Sequence, residues 1–144
     1  MEQQPTEIRR IYKFGLATIR KNRLLLCEPF AFKDLILPGG IIEGDETHVD
    51  NLLREVEEEL GNKAILDINS LIYLGHFQDF AAGRTNVIVE IHLYLGNLKG
   101  RLKASSEIKK LNWFSPSDDK ATLSQIIRNK ILPFLIENNY LTEE

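Results

Sequence analysis

Apolar and polar positions alternate along this chain with two different periods, and the change of period marks its elements. Ile11 to Arg20 and Arg23 to Glu28 read as two strands of a hairpin closed around Lys21-Asn22, a turn without the usual glycine, and Pro29 ends the second strand. Leu35-Ile36-Leu37 predicts a short strand stopped by Pro38-Gly39-Gly40, and a second turn follows at Gly44-Asp45. The period then lengthens. Val49, Leu53, Val56 and Leu60 recur at helical spacing and predict a helix over 47–60, pinned to a sheet by that apolar stripe. Thr47 with Asp50 resembles a capping box in which Asp replaces Glu or Gln, and Gly61 falls where a helix stops.

Beyond the helix, Ile72 to Phe80 reads as a strand, followed by a loop around Ala82-Gly83-Arg84. The clearest strand comes next: Val87, Val89, Ile91, Leu93 and Leu95 face one way, and Ile88, Glu90, His92 and Tyr94 the other. Gly96 to Gly100 predicts a turn and Leu111 to Phe114 a last short strand. Leu123, Ile126, Ile127, Leu132 and Leu135 mark a C-terminal helix, kinked or restarted near Pro133. This mixture predicts an α/β fold, a mixed β-sheet with helices on its faces.

Composition narrows the class. With 144 residues, 43% hydrophobic and 27% charged, the chain fits one globular domain over 1–144. A net charge of −3 gives no footprint for a stable nucleic-acid or membrane partner, so a phosphorylated small molecule needs a local device to neutralise it. Cys27 is the only cysteine and sits in an apolar run, which predicts a small buried hydrophobe and a reducing compartment. The polar stretch Met1 to Arg10 carries no signal-peptide core, and no run reaches the ~20 apolar residues of a membrane span. A cytoplasmic protein, monomer or homodimer, is the expectation.

The candidate chemistry lies in the predicted helix. Glu55, Glu58 and Glu59 are three and four residues apart and share a face, while Glu57 points elsewhere. Holding them together is unfavourable, by roughly 0.2–0.5 kcal/mol per i,i+4 pair and further through the helix dipole. Arg54 is one cation against several carboxylates, whereas a divalent cation offsets them. Oxygen-only ligands select Mg²⁺ or Mn²⁺ over zinc, and Mg²⁺ takes its remaining ligands from water and substrate phosphates. A run of Glu on a helix is more often a solvated face; the wider pattern changes that reading.

Gly40 to Asn62 resembles the box of the Nudix family, G-x5-E-x7-R-E-U-x-E-E-x-G-U, where U is bulky and apolar. Gly40, Glu46, Arg54, Glu55, Val56, Glu58, Glu59 and Gly61 stand at the required spacing, a coincidence with odds on the order of one in a million from this composition. The final U is Asn62, a departure at a position that implies packing rather than chemistry.

The resemblance implies an α/β/α sandwich and a Mg²⁺- or Mn²⁺-dependent hydrolase acting on a nucleotide. In this reading Glu55, Glu58 and Glu59 bind the metal, with the Gly39 carbonyl as a further ligand. Gly40, Glu46, Arg54 and Gly61 support the site. Glu107, six residues ahead of Trp113, is similar in placement to the family's extra Glu and is a candidate ligand or general base; Glu90 stands behind it. Water attacks phosphorus in line, with Glu55 or Glu107 taking its proton. Arg84 is the candidate substrate contact. Compactness points to a nucleoside triphosphate, modified or not, giving monophosphate and pyrophosphate. The alternatives are ADP-ribose, a nucleotide sugar, a capped RNA end, or a non-catalytic ligand-binding module. His48, His76 and His92 lack zinc-ligand spacing and read as structural or surface residues. Trp113 reads as sheet packing, and Lys109-Lys110 and Arg9-Arg10 as solvated charges.

Overall fold

The computed structural model describes residues 7–81 and 84–143. Met1 to Thr6 and the Ala82-Gly83 part of the predicted loop lie outside the described residues. The strands are β1 (Arg9–Ala17), β2 (Ile19–Arg20), β3 (Arg23–Pro29), β4 (Ala64–Leu66), β5 (Ile72–Phe80), β6 (Val87–Leu95), β7 (Leu98–Gly100) and β8 (Ile108–Phe114). Helix α1 is His48–Leu60, and a π turn over Ile127–Ile131 runs into α2, Leu132–Glu137. The described strands form three sheets, ordered β1-β6-β5, β2-β3-β8 and β4-β7.

The predicted hairpin is there, but only its inner half belongs to it. Ile19 and Arg20 pair with Leu24 and Arg23, and the turn holds Lys21 and Asn22 at φ 49° and 61°, the double positive-φ conformation that Asn accepts and that matches strand twist. Thr18 then ends the run, giving its hydroxyl to the Gly96 carbonyl at 2.8 Å. The outer half, β1, lies parallel to β6 from Arg9↔Val87 to Ala17↔Leu95. With β5 antiparallel on its other side, β6 makes that sheet mixed.

Alternation in the strands builds a core on each side of the sheets. Phe14 and Leu16 of β1 and Leu25 and Cys27 of β3 pack with Leu52, Val56 and Leu60 of α1. Ala17, Leu24 and Leu26 face the other way, packing with Ile91 and Leu93 of β6 and with Ile127, Ile131 and Leu135. Helix, sheet and helix are therefore stacked, the α/β/α order expected. Cys27 is fully buried, as expected, and burial pushes its thiol far up.

Several expectations need correction. Leu35-Ile36-Leu37 makes isolated bridges, Ile36 to Cys27 and Leu35 to Leu123, rather than a strand. Residues 98–100 are not only turn: β7 pairs with β4, and three-residue strands are too short to show a period. Strand β8 begins at Ile108, three residues before Leu111. The C-terminal helix restarts beside Pro133 as expected, through the wider π turn that brings the Leu132 amide to the Ile127 carbonyl. No helix among the described residues is long and apolar enough to cross a membrane.

Candidate active site

Helix α1 starts where its capping box predicts. Thr47 accepts from the Asp50 amide at 3.1 Å, and the Asp50 carboxylate accepts from the Thr47 amide at 3.2 Å. The face it buries differs from the expected stripe. Leu52, Val56 and Leu60 are inside, but Leu53 is 37% exposed. Glu55 and Glu59 lie not opposite the apolar side but on it, 8% and 2% exposed beside Asn51, Leu52 and Val56. Positions 52, 55, 56, 59 and 60 share one face of a helix, and the seam of carboxylates runs along its edge against the Pro38-Gly39-Gly40 turn.

That turn is shaped to receive them. The Leu16 and Phe14 amides donate to the Pro38 and Gly40 carbonyls, tying the turn to β1, and the carbonyl of Gly39 between them accepts no backbone hydrogen bond among the described residues. Gly39 has φ 131°, and a Cβ there would lie 2.1 Å from the Phe14 carbonyl oxygen, so only glycine fits. Its amide donates to Glu59 Oε1 at 2.8 Å. At Gly40 a Cβ would lie 2.5 Å from Glu55 Oε1; the missing side chain is the space the carboxylate uses.

Electrostatics divides the carboxylates. Burial pushes Glu59 up to about 8, against the pull of the Gly39 amide, with the charge of Glu55 adding to the rise. Burial also raises Glu55, opposed by Arg54. Glu46 is drawn down to about 2, first by its hydrogen bonds from Arg54. Arg54 Nη2 and Nε grip the two oxygens of Glu46 at 2.8 and 3.1 Å. Its Nη1 lies 2.8 Å from Glu55, 3.3 Å from Glu58 and 3.7 Å from Glu43. Asn51, fully buried and not singled out from sequence, ties Glu46 and the Ile41 carbonyl together at 2.9 Å each. Gly61 closes α1 at φ 93°.

Glu107 lies near enough to this cluster for its charge to act on it. It sits exposed in the turn just before β8, and its charge helps raise both Glu55 and Glu59. Glu90 is elsewhere. It is buried mid-strand, where Arg10 Nη1 and His76 Nε2 hold it at 3.3 and 2.9 Å, rather than solvated. Lys13, which sequence did not mark, is near enough to pull Glu59 downward. Among the described residues no three His, Cys, Asp or Glu side chains are gathered closely enough to hold a metal ion as they stand. Arg54 Nη1 instead lies between Glu55 and Glu58, at 2.8 and 3.3 Å. The donor set is nonetheless one of hard oxygens, two of them on buried carboxyls whose ionisation a divalent cation favours, so the residues fit Mg²⁺ or Mn²⁺.

A cavity of about 580 Å³ is lined in part by Lys13, which also acts on Glu59, and by Phe14. Its walls include Phe32, Asp34, Phe80, Ser124 and Gln125, and Arg84 lines it, exposed. Ser124 Oγ is buried without a hydrogen-bond partner among the described residues. Trp113 is half-buried on β8 against the α1 core with Arg20 over its ring, in keeping with packing. The three histidines, spread along the sequence, gather on one sheet face: His92 lies 4.9 and 6.0 Å, ring to ring, from His76 and His48. Tyr73 bonds His92 at 2.8 Å and Tyr94 bonds His48. β-Strand pairing across His76↔His92 creates this cluster, which no spacing in sequence announces.

Comparison with known proteins places this geometry. A family model described as the NUDIX domain matches residues 11–134. Among solved structures, the E. coli ORF135 protein aligns with a TM-score of 0.66 and 22% identity, over 95% of this chain and 96% of that one. A MutT NUDIX hydrolase from Burkholderia pseudomallei aligns at 0.64 and 24%, over 77% and 87%. A bifunctional NMN adenylyltransferase/ADP ribose pyrophosphatase from Francisella tularensis, complexed with AMP and a Mn ion, aligns at 0.62 and 19%, over 94% of this chain and 43% of that one. At these identities the likeness is one of fold. No curated protein matches the sequence.

Proposed function

Since the chain belongs to the Nudix hydrolase family, pyrophosphohydrolases by class, we propose that it cleaves a nucleoside triphosphate, modified or not, to the monophosphate and pyrophosphate. The observation that carries this reading is the pair Glu55 and Glu59 on the buried edge of α1, set against the Gly39-Gly40 turn, with exposed Glu58 and Glu107 near them and a cavity whose Lys13 also acts on Glu59. Glu55, Glu58, Glu59 and the Gly39 carbonyl would hold Mg²⁺ or Mn²⁺, and the Mn ion in the Francisella relative is in keeping with that choice. A divalent cation bound there supplies positive charge against the diphosphate and acidifies water.

The remaining work falls to the chain. Lys13, at the junction of cluster and cavity, draws the phosphates toward the carboxylates. Phe32 and Phe80 offer exposed rings to a base, and Asp34, Ser124 and Gln125 offer polar groups to its edge; the unpartnered Ser124 hydroxyl is suited to a ligand. Arg84 contacts the substrate from the rim. Glu107, exposed and without an ion pair among the described residues, takes the proton as water oxygen bonds to phosphorus and the bridging P–O bond breaks. Glu55 is less free to do so, because Arg54 Nη1 holds it at 2.8 Å. Arg54 and Glu46 act by position, fixing the turn against the helix.

A panel of nucleoside triphosphates, nucleoside diphosphate sugars, ADP-ribose, capped RNA and dinucleoside polyphosphates tests this, with products identified by chromatography. Monophosphate and pyrophosphate from a triphosphate is the expected outcome. Preference for ADP-ribose, the activity in the Francisella relative's name, would replace the substrate while keeping the chemistry. Binding without cleavage across the panel would favour a ligand-binding module.

A further inference from the structure

The pairing of β4 with β7 gathers cations at the far end of α1. In its register Ala64 faces Gly100, so Lys63 and Arg101 leave the two strands side by side. Gly100, at φ 80°, makes the close ending possible: a Cβ there would lie 2.1 Å from the Lys63 carbonyl oxygen. The chain then runs past the last turn of α1 and caps it. The Lys103 amide donates to the Leu60 carbonyl at 2.8 Å and the Ser105 amide to the Glu59 carbonyl at 3.0 Å. These bonds satisfy helix-end carbonyls and fix Lys103 beside Lys63 and Arg101.

The result is a recess of about 470 Å³ lined by Glu57, Gly61, Asn62, Lys63, Arg101, Lys103 and Ser105. None of its three cations makes an ion pair among the described residues, and Glu57 is its single carboxylate. Three like charges around one hollow repel unless an anion joins them, and this in a chain of net charge −3. Asn62, where the family pattern has a bulky apolar residue, is exposed on the wall of the recess and is not packed as the resemblance implied. The Asn62 amide adds a hydrogen-bonding group where the pattern would place hydrocarbon, while the Ser105 hydroxyl donates to the Lys103 carbonyl at 3.0 Å.

We propose that this recess is a phosphate-binding subsite, apart from the carboxylate cluster but joined to it through Glu59 and the chain leading to Glu107. A phosphate dianion suits three cations with a neighbouring side-chain amide. It comes either from free phosphate or pyrophosphate, or from a distal phosphate of a substrate.

The test is a titration of inorganic phosphate, and separately of pyrophosphate, into the full chain with EDTA at low ionic strength, followed by amide NMR shifts. Chelation keeps the carboxylate cluster from recruiting phosphate through a metal, so the result does not depend on the proposed reaction. Saturable shifts at Gly61, Asn62, Lys103 and Ser105 are expected. The Arg101→Ala/Lys103→Ala variant should weaken binding at least tenfold, and Glu58→Gln should leave it unchanged. If the double variant misfolds, Lys63→Gln carries the same comparison. With a cleaved nucleotide, a raised KM at constant kcat identifies a substrate phosphate, and lost phosphate inhibition at constant KM identifies the free anion. Absence of saturable shifts, or shifts undiminished in the folded variants, overturns the proposal and leaves the cations as partners of the α1 dipole.

Discussion

Glu59, 2% exposed, keeps one oxygen on the Gly39 amide, and burial pushes its carboxyl up to about 8. Between the ordinary carboxyl value of 4.5 and about 8, the folded chain holds a proton that the unfolded chain has released. Stability without metal should therefore fall as pH rises through that window. Glu46 acts oppositely: drawn down to about 2, it contributes stability above 4.5 that is lost as pH falls further. Thermal melts in EDTA should show a maximum near pH 4–5, roughly where the two effects cross. Glu59→Gln should flatten the alkaline limb, and Mg²⁺ should flatten it in the unaltered protein. A melting temperature in EDTA that rises steadily from pH 5 to 8 would contradict the burial of Glu59. Gly40→Ala tests the same contact from the other side. Its Cβ meets the mobile end of Glu55 rather than backbone, so the fold should survive while turnover drops by roughly 10²-fold, the cost of a carboxylate moved by about 1 Å. The spacing of Glu55, Glu58 and Glu59 was legible in sequence. The burial of Glu55 and Glu59 was not, because Val49 and Leu53 complete an equally good apolar stripe, and only the sheet beneath decides which face turns inward.

Helix α1 was the most legible element, since its period, its Thr47-Asp50 box and Gly61 all point to the same boundaries. That box should contribute about 1 kcal/mol, so Thr47→Ala should lower the urea midpoint without changing the slope. An unchanged midpoint would mean tertiary contacts alone hold the first turn. The strands were less legible in proportion to how far their partners lie in sequence. The turn at Lys21-Asn22 is local and was readable; the parallel pairing of β1 with β6, about seventy-eight positions away in register Arg9↔Val87, is not. Strands β4 and β7 fell below any periodic signal, although they assemble the cationic recess. The π turn before Pro133 was visible only as a proline inside a helical pattern.

At the scale of the molecule, sheets lie between two cores, and the candidate site sits where one core ends, on the rim of α1. The layered order and the box were recoverable from sequence because both are written in short-range spacing. The cavity lined by Lys13 and Arg84 was not, because β1, β6, the loop after β3 and the start of the C-terminal helix each contribute part of its wall. The histidine cluster and the recess at the end of α1 arise in the same way. We propose the carboxylate edge of α1 as metal-dependent catalytic machinery. Steady-state cleavage of the best substrate by the unaltered chain, Glu58→Gln and Glu59→Gln, with Mg²⁺, with Mn²⁺ and with EDTA, tests it most directly. EDTA should abolish activity, and each folded variant should lose roughly 10²–10⁴-fold. Turnover that survives chelation, or that equals the parent's in both variants, would contradict it.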